Sequence, residues 1–155
     1  TLLAAENIRR FGIEPKVALL SHSNFGSSNR PTARKMRHAL DLIRKRAPDL
    51  EVDGEMQGDA ALSQELREKL VAGSSLEGSA NLLVMPSLDS ANISYNLVRM
   101  LADGLAVGPM LIGMQQPAHI LAEGVTARGI TNMTAVAVVE AQNNADGELP
   151  FEKRD

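Results

Sequence analysis

Cysteine is absent from this chain. That excludes a disulfide framework, a thiolate nucleophile and any Cys-ligated metal, and nothing marks a secreted protein. Tryptophan is also missing, and one tyrosine and three phenylalanines are the whole aromatic complement, too few for platforms that stack nucleic-acid bases. There is no basic excess. Sixteen Lys and Arg face 19 Asp and Glu for a net charge of −3, the opposite of a dedicated nucleic-acid binder. No apolar run approaches the roughly 18 residues of a membrane helix, and no signal-peptide pattern opens the chain. The chain starts at Thr1 rather than Met, already inside a helical pattern, and so reads as a piece of a longer protein. What remains is a cytoplasmic globular domain with neither nucleic acid nor membrane as partner.

What is present is aliphatic. Hydrophobic residues make up 44% of the 155, and a chain of that length buries roughly 68–70% of its unfolded surface. Leu2, Leu3, Ile8 and Phe11 predict a helix ending near Gly12. Lys16 to Ser21 reads as a parallel strand buried on both faces, followed by a turn-rich loop over 22–30. Pro31 opens a helix whose Met36, Leu40, Ile43 and Ala47 recur at helical spacing, ended by Pro48. Leu50 to Asp53 predicts a second strand running into Gly54, then a helix from Asp59 to Leu70 and a Gly/Ser-rich loop over 72–80. Asn81 to Pro86 predicts the third strand, Ser90 to Ala102 a helix, and Val107 to Gly113 a fourth strand. The stretch Thr134 to Val139 is β-rich in composition. Ile130, Met133, Ala137, Val138 and Ala141 nevertheless keep helical spacing behind a Thr126 cap, so a helix is expected. The polar residues 143–155 read as a flexible tail after a domain spanning 1–142. Strands alternating with helices imply an α/β fold with a mostly parallel sheet and right-handed crossovers. Ligands bind such sheets at the carboxyl ends of the strands, where loops 22–30, 54–59 and 87–92 are expected.

Several motifs in these loops carry chemistry, each with a plainer reading beside it. Ser21-His22-Ser23-Asn24-Phe25-Gly26-Ser27-Ser28 leads from strand to helix, with small hydroxyls and N–H groups suited to an anion. It equally suits a well-capped turn, and it is neither a P-loop nor a dinucleotide fingerprint. The helix over 31–47 carries Arg34, Lys35, Arg37, Arg44, Lys45 and Arg46 against Asp41 alone, either a polyphosphate attractor or a solvated face. Asp53, Glu55 and Asp59 flank Gly54, but their spacing is irregular and no histidine is near, which argues against metal. In Ser87 to Asn92, helix capping accounts for one polar residue and not obviously for all four. The three histidines are scattered, and no Ser-His-Asp arrangement falls on one site.

As a set and in order, four stretches resemble the phosphate acetyltransferase family. They are Val17 to Ser21 with Gly26-Ser27-Ser28; Asp53-Gly54-Glu55-Met56-Gln57-Gly58-Asp59 through Leu62; Ala80-Asn81 through Pro86-Ser87-Leu88-Asp89-Ser90-Ala91-Asn92 to Tyr95; and Val107-Gly108-Pro109 through Gly113. The resemblance covers residues 1 to about 142, the second half of a family member. It implies the isocitrate/isopropylmalate dehydrogenase-like fold, acyl-CoA in a cleft between two subdomains, and a homodimer or larger oligomer. After Pro117 the pattern breaks. Active members carry Asn-Asp-Leu-Ser-Arg-Gly there and an Asp near the start of the last helix. This chain has His119, Ile120, Leu121, Ala122, Glu123 and Gly124, with Gly129 for the later Asp.

Acetyl transfer to CoA needs a base for the thiol and cations for the phosphoryl charge. Putting Glu123 where the family has Arg reverses the charge beside a dianionic substrate. Unit charges 4 Å apart interact by roughly 4 kcal/mol at an effective dielectric of 20, and half of that slows a step about thirty-fold. With Ala122, Glu123 and Gly129 at the catalytic positions, no catalytic residue is carried over. The loop 21–28 and Pro117 to Leu121 look like the versions found in hybrid malic enzymes, which join a malate-decarboxylating domain using NADP and a divalent metal to a phosphate acetyltransferase-like tail. That resemblance implies an upstream malic-enzyme domain and acetyl-CoA as an effector. Asn24, Ser27, Ser28 and Asn92 are the candidate ligand-binding residues, and no metal site is expected in this segment.

Overall fold

The central strand explains the architecture. In a computed structural model describing residues 1–102 and 105–145, β1 (Val17–Leu20) is buried at every position. It lies between β2 (Val52–Met56) and β3 (Leu82–Val84), and both pairings are parallel. Side chains alternate across a strand. Val17 and Leu19 therefore pack with Ala5, Met36, Leu40, Ile43, Leu50 and Val52, while Ala18 and Leu20 pack with Met56, Ala60, Ala61, Leu76 and Ala80. The first cluster is covered by α1 (Leu2–Arg10) and α2 (Pro31–Arg46), the second by α3 (Gly58–Leu62) and the loop after α4 (Gln64–Leu70). Helix α2 earns its place through a stripe of Ala33, Met36, Leu40 and Ile43. Each large side chain buried there contributes roughly 1.5–3 kcal/mol.

Strand β2 departs from its expected limits in an informative way. Sequence ended it at Asp53, but it runs to Met56, which removes the loop expected over 54–59. The pairing steps from Leu19 opposite Gly54 to Leu20 opposite Met56, so Glu55 is one extra residue. An extra residue inverts the facing of everything after it. Val52 accordingly joins one core cluster and Met56 the other. Gly54 permits this, since a Cβ there would stand 2.7 Å from the Leu19 carbonyl oxygen and its φ is +143°.

Other expectations shift for local reasons. The helix predicted over 59–70 breaks at Ser63, whose extended backbone closes α3 and whose Oγ accepts from the Leu66 N–H to cap α4. Helix α5 (Leu88–Leu101) starts two residues earlier than expected. Residues 107–113 form no strand: an extended segment needs a paired neighbour, and none of the described residues supplies one. Helix α6 (Ala127–Ala145) confirms the helical reading of the last segment, and it absorbs 143–145 of the expected tail. Residues 146–155 lie outside those described. Contacts divide the chain into two compact units, Thr1–Val98 and Arg99–Asp155. Among the described residues no helix is long and apolar enough to cross a membrane.

Candidate functional site

Within Thr1–Val98, the loop after β1 is organised around an internal anion. The β2 bulge carries Glu55, fully buried, to the underside of residues 22–29. Its Oε1 accepts from the Ser23 hydroxyl at 2.7 Å, the Gly26 N–H at 3.0 Å and the Arg37 guanidinium at 2.6 Å. The Phe25 N–H donates to the Glu55 carbonyl at 2.7 Å. A hydroxyl has a single proton. Because Ser23 gives its own to Glu55, the 3.1 Å contact with Ser27 must have Ser27 as donor. The Ser28 N–H also donates to Ser23 Oγ, at 3.0 Å. The hydroxyl and N–H groups that sequence offered to an external anion are here turned on a carboxylate of the same chain. Phe25 (φ 46°) and Gly26 (φ 90°) supply the left-handed turn that lets the loop wrap it.

The candidate residues Asn24, Ser27 and Ser28 are brought together in this loop. Asn24 exchanges two hydrogen bonds with Gln57, accepting from its N–H at 2.7 Å and donating to its side-chain oxygen at 3.1 Å. Ser27 Oγ accepts from the Asn24 N–H at 3.0 Å. Ser28 Oγ lies 3.2 Å from His22 Nε2 and accepts from the Arg30 N–H. Asn92 lies on α5, which follows β3, the neighbour of β1; its side-chain oxygen accepts from Asn96. Ser87 and Ser90 cap the start of that helix, and the Lys35 ammonium, reaching from α2, donates to the Pro86 carbonyl.

The basic helix and the acid cluster resolve each other. Arg37 takes Glu55, and Arg44 takes Asp53 at 3.0 Å. Asp53 also accepts from Ser74 and from the Ser75 N–H, fastening the Gly/Ser loop over the outer edge of β2. Asp59 accepts from the Ala60 N–H at the start of α3. An open cleft of about 380 Å³ beside these pairs is lined by Phe25, Arg37, Arg44, Asp53, Glu55 and Ser74, among others. Among the described residues, no three His, Asp or Glu side chains converge on a common point.

In Arg99–Asp155 the positions that break the family pattern fall on a turn and a helix start. Ala122 and Glu123 are exposed, in a turn closed by the Val125 N–H to the Ala122 carbonyl. No ion pair of Glu123 occurs among the described residues. Thr126 caps α6 by accepting from the Gly129 N–H at 3.1 Å. A Cβ at Gly129 would lie 2.8 Å from a Val125 methyl, so the helix start is closely packed there. His119 forms a pair that sequence did not reveal. Its Nδ1 accepts from the Leu111 N–H at 3.3 Å and its Nε2 sits 3.0 Å from Glu140, with side chains only 5% and 12% exposed. With Nδ1 accepting, the proton is on Nε2 and is donated to the carboxylate. Glu140 is the only acid in α6, a signal that a histidine 21 residues upstream could not be matched to by spacing.

Comparison with known proteins bears on this geometry. The pattern described as phosphate acetyl/butaryl transferase matches residues 1–138. The chain is 59% identical over 143 residues to the NADP-dependent malic enzyme of Escherichia coli (strain K12), covering 92% of this chain and 19% of that protein. It is 57% identical, with the same coverage, to the NAD-dependent malic enzyme of Rhizobium meliloti (strain 1021). The chain therefore spans about a fifth of the length of these relatives. Among solved structures, the EutD phosphotransacetylase from Staphylococcus aureus superposes with a TM-score of 0.84 at 35% identity, over 90% of this chain and 44% of that one. The match over residues 1–138, joined by the superposition on a phosphotransacetylase at 35% identity, places this chain in the phosphate acetyl/butaryl transferase family.

Proposed function

We propose that this domain is a non-catalytic, acetyl-CoA-binding regulatory part of a malic enzyme. The observation that carries the reading is Ala122, Glu123 and Gly129 at the positions where the family resemblance implies Ser, Arg and Asp. A carboxylate in place of a guanidinium cannot neutralise acetyl phosphate, whereas a thioester is uncharged at the reacting carbon and makes no such demand. Asn24, Ser27, Ser28 and Asn92 are the groups assigned to hold it. Nicotinamide cofactor and divalent metal belong to an upstream malic-enzyme domain. NADP is the expected cofactor, although one close relative is named for NAD. Acetyl-CoA then acts by binding two arrangements of the protein unequally, a coupling typically worth about 1–3 kcal/mol. The setting is cytoplasmic.

A contribution to oligomerisation accompanies this reading. Helix α5 buries none of its side chains, and Ile93, Leu97 and Leu101 are exposed on it at helical spacing.

The test uses the full-length protein. Calorimetry with acetyl-CoA is expected to show saturable binding, and malate oxidation to respond to the ligand. CoA-dependent formation of acetyl-CoA from acetyl phosphate is expected to be absent. Robust turnover in that assay would refute the reading. Asn24→Ala removes both bonds to Gln57 and is expected to weaken acetyl-CoA binding about tenfold, the loss of roughly one hydrogen-bonded contact of 1.4 kcal/mol.

A further inference from the structure

The serines of the loop differ in where their protons go, and Ser28 is the one in contact with an imidazole. Ser23 gives its proton to Glu55, and Ser27 gives its own to Ser23. Ser28 Oγ already accepts from the Arg30 N–H at 3.3 Å, and its remaining contact is His22 Nε2 at 3.2 Å. With the ring proton on Nδ1, His22 Nε2 is the acceptor and the Ser28 hydroxyl the donor. That is the relation of nucleophile to general base, within the roughly 2.6–3.2 Å that such pairs span. The main chain on both sides is held. The Ser28 N–H donates to Ser23 Oγ, and the Ser28 carbonyl accepts from Arg37 at 2.9 Å. The His22 carbonyl accepts from the Gln57 side chain at 2.9 Å, while the His22 ring is exposed to solvent.

We propose that Ser28 is a nucleophile activated by His22 and accepts an acyl group from a thioester. The step balances without any further reactant. Ser28 Oγ bonds to the carbonyl carbon, and its proton passes to His22 Nε2. The carbon–sulfur bond breaks, and the departing thiolate takes the proton from His22, leaving an O-acyl serine and a free thiol. Neither residue uses the positions held by Ala122, Glu123 and Gly129. The acyl chemistry therefore differs in kind from transfer between phosphate and CoA. In naming acetyl-CoA as the donor the inference rests on the function proposed above; the dyad itself does not.

Two acyl donors separate the two ideas. The full-length protein is incubated with acetyl-CoA and, separately, with p-nitrophenyl acetate, an activated ester carrying no CoA; peptides are then mapped by mass spectrometry. The expected result is one acetyl group on the peptide containing Ser28 from either donor, absent in Ser28→Ala. In His22→Gln, acylation by p-nitrophenyl acetate is expected to slow about a hundred-fold, the usual lower range for losing a general base. An unmodified Ser28 with both donors, or equal rates with and without His22, overturns the dyad, and acetyl-CoA binding seen by calorimetry in that case leaves the effector reading intact. Acetylated Ser28 from p-nitrophenyl acetate in a protein that shows no binding of acetyl-CoA supports the dyad and removes the effector reading.

Discussion

The two units of this chain spend their apolar residues differently. Thr1–Val98 sinks them into two clusters on either face of a parallel sheet, and even buries Asp53, Glu55 and Arg67 with partners. In Arg99–Asp155 the single buried residue among those described is Met133. Leu101, Leu105, Val107, Ile120, Val138 and Val139 are all exposed there. Composition does not separate the units, because both are rich in Leu, Val, Ile and Met. Topology does: the first unit contains the strands that its apolar pattern requires, and the described residues of the second form the end of α5, turns and irregular chain, and α6. An apolar pattern is therefore a statement about burial somewhere, and only partner elements decide whether this chain provides it.

The comparison is broken most severely at Arg67. This fully buried guanidinium donates to the carbonyls of Ala60, Leu76 and Gly78, at 2.9, 2.8 and 2.7 Å. It ties α3 to the Gly/Ser loop with no carboxylate involved. Arg67→Met keeps apolar bulk but strands two buried carbonyls and one half-buried one. Each costs on the order of 1 kcal/mol or more, so about 4 kcal/mol is expected, read as a lower urea midpoint with an unchanged slope. A loss under about 1 kcal/mol would mean that the loop is not fastened by this residue and that the first unit is less self-sufficient than its burial implies.

How far sequence reached follows the same division. The run Val17 to Leu20 was legible because a strand buried on both faces is continuously apolar. Helix α2 was legible from the spacing of Met36, Leu40 and Ile43, and α6 because spacing outweighed its β-rich composition. The facing change at Glu55 was not legible. Gly54-Glu55-Met56 reads the same as a loop or as a bulged strand, and only the partner strand distinguishes them. The partners of Arg37 and Arg44 were hidden for a related reason: a charge on a helix looks solvated until a buried carboxylate is placed opposite. At the site, sequence located the loop holding Asn24, Ser27 and Ser28 but not the carboxylate it is wound around. It also placed His22 and Ser28 in one loop without pairing them, since six residues of irregular loop give no periodicity from which to infer contact.

A smaller effect is expected in the second unit at His119, whose two ring nitrogens are both engaged. His119→Ala releases the Leu111 N–H and the Glu140 carboxylate together. Glu140 is 12% exposed and can rehydrate, so the cost is expected to be about 1 kcal/mol. Amide exchange should speed up at Leu111, with the strands of the first unit unaffected. A matching increase across β1 would show that the units unfold as one, and their contrast would then describe burial without independence.

The smallest effect sharpens the comparison most, because it asks whether the exposed apolar residues are free. Leu101 is 82% exposed and Ile120 is 74% exposed. Exchanging such residues for polar ones changes stability by no more than about 0.5 kcal/mol when nothing covers them. Leu101→Gln and Ile120→Thr are therefore expected to leave the urea midpoint of this 155-residue chain unchanged. The same two substitutions in the full-length protein provide the contrast. If further chain or a second copy lies against this surface, each should cost about 1.5–3 kcal/mol, the value of burying a large aliphatic side chain. Equal, negligible effects in both would mean that the surface stays bare, and the apolar pattern of Arg99–Asp155 would then have to be explained by something other than a covering partner.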